Sequence, residues 1–230
     1  MSADEATDVP VDGASRRELA VGRVVDPARA RAETRVQRFL DAALELMSST
    51  SGKDFTVQEV VERSGQSLRS FYQYFDGKYE LLLALFEDSV RTTAQLLQTK
   101  IDAESDPLER LHVAVVEYYK LCRPPTKGRV GRKAPAALAE FAQQLLTDHP
   151  KEASRAFTPL VELFEEILAD AAKAGVIRTD PRSRRVAGFV LQSVMFNAFV
   201  TTISGSWRAE SDDVAEEMWD LLYRGLETPS

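Results

Sequence analysis

The stretch from Phe55 to Lys78, FTVQEVVERSGQSLRSFYQYFDGK, constrains this chain more than any other. Thr56 is a good N-cap residue, and Glu59 three positions on completes a capping box. Phe55 before the cap and Val60 beyond it have the spacing of a hydrophobic staple. Val57, Val60 and Val61 give one apolar stripe at helical spacing. Ser64 and Gly65 make the turn, because glycine takes the positive φ that ends a helix. A second helix is predicted from Ser67 to Phe75, burying Phe71 and Phe75 at i and i+4 and presenting Arg69, Ser70, Tyr72 and Gln73 on its other face. This is a helix-turn-helix pattern, in which the second helix enters the major groove of DNA.

The flanking sequence completes a three-helix unit. Val36, Phe39, Leu40, Ala43, Leu44 and Met47 predict an amphipathic helix over Ala32 to Ser49 that packs behind the motif. After Phe75, Asp76 is the expected cap of a fourth helix carrying Leu81, Leu82, Leu85, Phe86 and Val90 toward Ile101. Lys78 in its first turn opposes the helix dipole, a penalty that a neighbouring phosphate would reverse. Asp106-Pro107 with Glu109 opens a helix through Cys122. Further helices are expected over Ala134 to Thr147, from Pro150 to Gly175 with a kink or restart at Pro159, from Asp180-Pro181 to Gly205, and from Ser211 or Asp212 to Gly225. No run alternates apolar and polar residues, so the expected class is all-α.

The net charge of −7 argues against a nonspecific nucleic-acid binder, but its distribution matters more than its total. Between Arg16 and Arg38 seven arginines stand against three acids, whereas residues 1–15 carry four acids and no base. Residues 81–230 hold eighteen basic and twenty-two acidic residues, so positive charge is concentrated beside the motif. Residues 1–31 are expected to form a flexible arm without helical period. Within it, Arg29 and Arg31 either track DNA phosphates or enter the minor groove, or belong to a solvated tail.

With one cysteine, Cys122, and two distant histidines, His112 and His149, the chain shows no metal-ligand spacing, disulfide or catalytic set. No metal, cofactor or catalytic residue is therefore expected. The lack of a signal-type or membrane-length apolar run predicts a cytoplasmic protein without a membrane partner.

The first helix followed by FTVQEVVERSGQSLRSFYQYFDGKYELL resembles the TetR family of transcriptional regulators, over roughly residues 32–85. The shared pattern is a Thr-initiated helix, a Gly turn, an F-Y-x-x-F helix and a Lys-led fourth helix. The resemblance implies a helix-turn-helix DNA-binding domain over 32–78 and an effector-binding and dimerisation domain over 79–230. It also implies that Thr56, Tyr72, Tyr74 and Lys78 contact phosphates of a double-stranded operator, while Ser67, Leu68, Arg69, Ser70 and Gln73 face the groove. Arg69 suits a guanine edge and Gln73 an adenine. Gln66 stands where the family commonly has an apolar residue, and is expected either to cap the second helix or face solvent, or to form part of the DNA surface.

For the second half the resemblance implies only architecture. Tyr118, Tyr119, Phe141, Phe164, Met195 and Phe199 are candidate pocket residues, though each taken singly also suits ordinary core. Gln192 and Asn197 interrupt an apolar helix and would orient a ligand or meet a partner helix. The last two helices are expected to form a homodimer interface through Val186, Phe189, Val190, Ser193, Val194, Val214, Met218, Leu221 and Leu222. The loop Arg123 to Lys133 has five basic residues. It either holds the phosphates of an acyl-coenzyme-A-like effector or is simply solvated. The expected function is a homodimeric repressor released from a palindromic operator by a small apolar or amphipathic effector. The alternative is a helical carrier or enzyme that does not read DNA.

Overall fold

In the computed structural model, which describes residues 16–49, 55–122, 133–178, 183–204 and 214–226, all regular structure among those residues is α-helical. The order is α1 (Arg16–Ser49), α2 (Val57–Ser64), α3 (Leu68–Phe71), α4 (Lys78–Ile101), α5 (Pro107–Cys122), α6 (Lys133–Asp148), α7 (Pro150–Lys173), α8 (Ser183–Ser204) and α9 (Val214–Leu226).

Two apolar cores organise these helices. The head core gathers Phe39, Leu40, Ala43, Leu46 and Met47 of α1, Phe55, Val60 and Val61 around α2, and Phe71 and Phe75 around α3. Phe39 meets Phe71 and Phe75 edge-on, with ring centroids 5.4 and 6.0 Å apart. Such aromatic pairs add about 0.5–1.5 kcal/mol each beyond their burial. The body core is drawn from α4, α5, α6, α7, α8 and α9, with Tyr119, Phe164, Leu160 and Ile167 at its centre.

Two helices belong to both cores. On α4, Leu81 and Leu85 enter the head, and Phe86, Val90, Leu97 and Ile101 enter the body. On α6, Ala137 is buried in the head, while Phe141, Ala142 and Leu145 are buried in the body. A third tie is the Tyr79 hydroxyl of α4, which donates to the Glu152 carboxylate of α7. Partial burial, then that carboxylate, push the Tyr79 phenol up to about 12.

Several expectations are corrected. Residues 16–31 are not an irregular arm: α1 begins at Arg16 and runs through Pro27. An interior proline costs about 3 kcal/mol, but Ala28, Ala30, Ala32 and the arginines are strong helix formers. Arg29 and Glu33 add an i,i+4 ion pair at 2.8 Å. Leu44 is 39% exposed, and Leu46 fills the core instead, because the α1 face centres on 39, 43, 46 and 47. Pro159 does not restart α7, which is continuous from Pro150 to Lys173. The buried stripe Ala153, Ala156, Leu160, Leu163, Phe164 and Ile167 outweighs the missing hydrogen bond.

Asp76 does not cap α4. Gly77 occupies the N-cap without a side-chain bond, and the Glu80 carboxylate instead accepts the Asp76 N–H at 2.5 Å. Asp106, by contrast, caps α5 through the Leu108 and Glu109 N–H groups at 2.9 and 3.0 Å.

The last helices are anchored within the chain. Val190 and Val194, expected at an interface, are buried in the body core. His112 of α5 pairs with Glu216 of α9 at 2.6 Å, and its ring lies 5.1 Å from that of Trp219. At the other end of α9, the Arg178 N–H donates to the Leu226 carbonyl at 2.8 Å, and its guanidinium donates to the Gly225 carbonyl. What stays outside is Phe189, Phe196 and Leu221, which are 60, 63 and 75% exposed.

Candidate nucleic-acid interface

The helix-turn-helix is built as its caps dictate. The Thr56 hydroxyl accepts the Glu59 N–H at 3.2 Å and donates to the Glu59 carboxylate at 2.9 Å, which also accepts the Thr56 N–H at 2.7 Å. These bonds from Thr56, with a smaller contribution from Lys78, hold the Glu59 carboxyl below its usual range. Both hydrogen-bond donors of Thr56 are thus engaged in the cap. Gly65 ends α2 with φ 66°, and its N–H and that of Gln66 return to the Glu62 and Val61 carbonyls at 3.3 Å. A side chain at Gly65 would be strained in this left-handed conformation.

Gln66 neither caps α3 nor faces solvent freely. Half-buried, it donates its amide to the Arg35 carbonyl of α1 at 2.8 Å. Ser67 is the cap, its hydroxyl accepting the Ser70 N–H at 3.1 Å. The recognition helix is shorter than expected: α3 spans Leu68–Phe71, and turns carry the chain through Tyr74 to Phe75. Phe71 and Phe75 anchor it, both buried.

The exposed surface of this element consists of Ser67, Leu68, Arg69, Tyr72 and Gln73. Tyr72 is 56% exposed and rests its ring edge-on to Phe71 at 5.4 Å. Ser70 does not join this surface. Its hydroxyl oxygen is enclosed and has no hydrogen-bond partner among the described residues, because position 70 flanks the inward Phe71. Tyr74 is half-buried against the head core. Lys78, half-buried at the start of α4, holds its ammonium 4.3 Å from the centre of the Phe55 ring. Its charge therefore sits beside the start of α2. Arg29 and Arg31 are exposed, and Arg29 is paired with Glu33.

In the body, a cavity of about 340 Å³ lies between α5, α6, α7 and α8. Tyr118, Leu146, Phe157, Val161, Phe189 and Leu191 give it an apolar lining, and Arg185 and Gln192 bring polar groups. Of the four predicted pocket residues whose side chains are described, only Tyr118 lines it. Tyr119, Phe141 and Phe164 are buried in the body core. Met195 and Phe199 fall on α8, with side chains outside the described residues, as are residues 123–132 of the basic loop. The lining was partly readable: Phe157 and Val161 are four apart on α7, and Arg185, Phe189 and Gln192 recur at four and three on α8. Burial pushes the Tyr118 phenol well above its usual value, and the Cys122 thiol beside it up to about 12.

Among the described residues no group of His, Cys, Asp and Glu side chains is placed to hold a metal ion, and no helix is long and apolar enough to cross a membrane.

Residues 39–85 match the family described as bacterial regulatory proteins, tetR family. No curated protein matches the sequence. Among solved structures, a TetR-family transcriptional regulator from Pectobacterium atrosepticum superposes with a TM-score of 0.68 at 19% identity, over 87% of this chain and 98% of the other. The fatty acid degradation regulator FadR from Bacillus halodurans has a TM-score of 0.63 at 17% identity, over 83% of this chain and 99% of that one. The regulator FadR from Bacillus subtilis, solved in complex with stearoyl-CoA, has a TM-score of 0.63 at 16% identity, over 82% and 98%. The head of this chain, residues 39–85, thus carries the DNA-binding region of the tetR family, and the chain shares the fold of solved TetR-family regulators.

Proposed function

We propose that the chain is a homodimeric repressor whose two heads read the half-sites of a palindromic operator and which a small amphipathic effector releases. The observation that carries this reading is the division of labour around α3. Phe71 and Phe75 lock the element into the head, leaving Ser67, Leu68, Arg69, Tyr72 and Gln73 on one exposed surface. Arg69 and Gln73 supply base-edge contacts, Tyr72, Tyr74 and Lys78 phosphate contacts, and Ser67 a free hydroxyl hydrogen. One short helix reads few base pairs, so a second copy is needed to specify a site.

The apolar Phe189, Phe196 and Leu221 on α8 and α9 support pairing of two chains there. The apolar cavity with Arg185 and Gln192 suits an effector with a long apolar part and a polar end. FadR from Bacillus subtilis, of like fold, was solved with stearoyl-CoA. Because α4 and α6 each bury residues in both cores, a ligand that displaces α6 at Leu146 moves helices that also hold the head.

Selection of bound DNA from a random pool tests the reading. A palindromic motif is expected, and its complex should dissociate on addition of a long-chain acyl-coenzyme A or the free acid. Enrichment of no motif would overturn it.

A further inference from the structure

Among the described residues, the segment from Pro27 to Arg35 of α1 places no side chain in either core. From Pro27 to Arg35 every residue except the half-buried Ala32 is exposed, although the segment is helical. Its charges are sorted by face. Arg31, Arg35 and Arg38 recur at four and three residues, and therefore lie along one side of the helix. All three are exposed, and among the described residues none is held in an ion pair. Arg29 and Glu33 pair with each other on the opposite side, about 200° around from Arg31.

The arginine side also has a defined position. The Arg35 carbonyl receives the Gln66 amide at 2.8 Å, and Gln66 immediately precedes the cap of α3. The line of arginines thus passes the entrance of the recognition helix at its middle member, with Arg31 and Arg38 to either side. From Arg31 to Arg38 it rises about 10 Å, comparable to three phosphate-to-phosphate steps along one DNA strand at roughly 3.4 Å each.

We propose that this face of α1 is a second, sequence-independent DNA contact, a rigid rail of Arg31, Arg35 and Arg38 that follows backbone phosphates flanking the bases read by α3. Arg29 takes no part. The inference rests on the operator-binding reading above and adds to it a contact outside the helix-turn-helix.

The test uses the full chain and its selected operator, with affinity measured against salt concentration and the protected region mapped by hydroxyl-radical footprinting. In R31Q/R35Q/R38Q the salt slope should fall by about 0.9 for each phosphate that is no longer neutralised. For three phosphates, wild-type affinity then drops roughly 40-fold more than that of the variant between 50 and 200 mM salt. The footprint should shorten at its outer edges while the selected sequence stays the same. R29Q should match wild type, and R31K/R35K/R38K, which keeps the charges, should retain the slope. A glutamine triple variant with the wild-type slope and footprint overturns the inference and leaves the operator reading standing, as does an R29Q effect of equal size. A wild-type chain that selects no DNA overturns the operator reading itself.

Discussion

The head and the body solve the same packing problem at different ranges. In the head, Phe55, Val60, Val61, Phe71, Phe75 and Leu81 are separated by only a few residues, and each turn between them is fixed by a local device. The body core brings α5 against α9 and α4 against α7, across much longer separations. It also leaves a cavity of about 340 Å³ beside fully buried aromatics. A surface proposed to present Arg69 and Gln73 to DNA benefits from tight local determinants. A compartment proposed to admit a ligand must leave space and tolerate rearrangement.

The largest test of this contrast removes one central ring from each core. Phe71→Ala and Phe164→Ala each delete a fully buried side chain, at a cost of about 3–5 kcal/mol. Phe71→Ala should abolish operator binding, with hydrogen exchange rising in α1 to α3 while α5, α7 and α8 stay protected. Phe164→Ala should show the reverse pattern. Uniform loss of protection in both would mean that the shared helices α4 and α6 couple the cores into one unit.

Arg69→Ala should relax base preference at one operator position by about 1–3 kcal/mol without changing the melting temperature, as binding to single-substituted operators would show. An unchanged preference removes Arg69 from the reading set.

Thr56→Ala should lower head stability by about 0.5–2 kcal/mol in chemical denaturation. It should also flatten the acid limb of the stability profile. The Glu59 carboxyl is held below its ordinary 4.5 in the folded chain. Its contribution is therefore present above that value and is lost as pH falls through the lowered one. Thr56→Ala removes the hydroxyl bond but keeps the backbone N–H bond, the larger cause. The folded value therefore moves only part of the way toward the unfolded one, and an unaltered acid limb would show that the hydroxyl does not contribute.

The smallest effect has the opposite sign. Ser70→Ala removes an enclosed hydroxyl without a partner and should stabilise the head by about 1 kcal/mol, leaving operator selection unchanged. A loss of selectivity would return Ser70 to the DNA surface.

The same contrast explains what could be read from the chain alone. The capping box, the glycine turn and the inward Phe71 and Phe75 are set by neighbours in sequence, and were legible. The Gln66 bond to Arg35 spans 31 positions and was not. Nor was the orientation of Ser70, which depends on how Phe71 docks against α1. The helical nature of residues 16–31 escaped because the reading relied on an apolar period, and this sequence has none. In the body, aromatic content pointed to a pocket without distinguishing residues that line space from those that fill it. Tyr119 and Phe164 fill it, whereas Arg185 and Gln192, in register with Phe189 on α8, line it.

The anchoring of α9 at both ends has a further consequence. His112 holds Glu216 near its start, and Arg178 meets the Gly225 and Leu226 carbonyls at its finish. The helix that exposes Leu221 is therefore shaped before any second chain arrives. Association through that face would be a docking of finished surfaces rather than a coupled folding reaction, with its affinity unburdened by the entropy of ordering a segment.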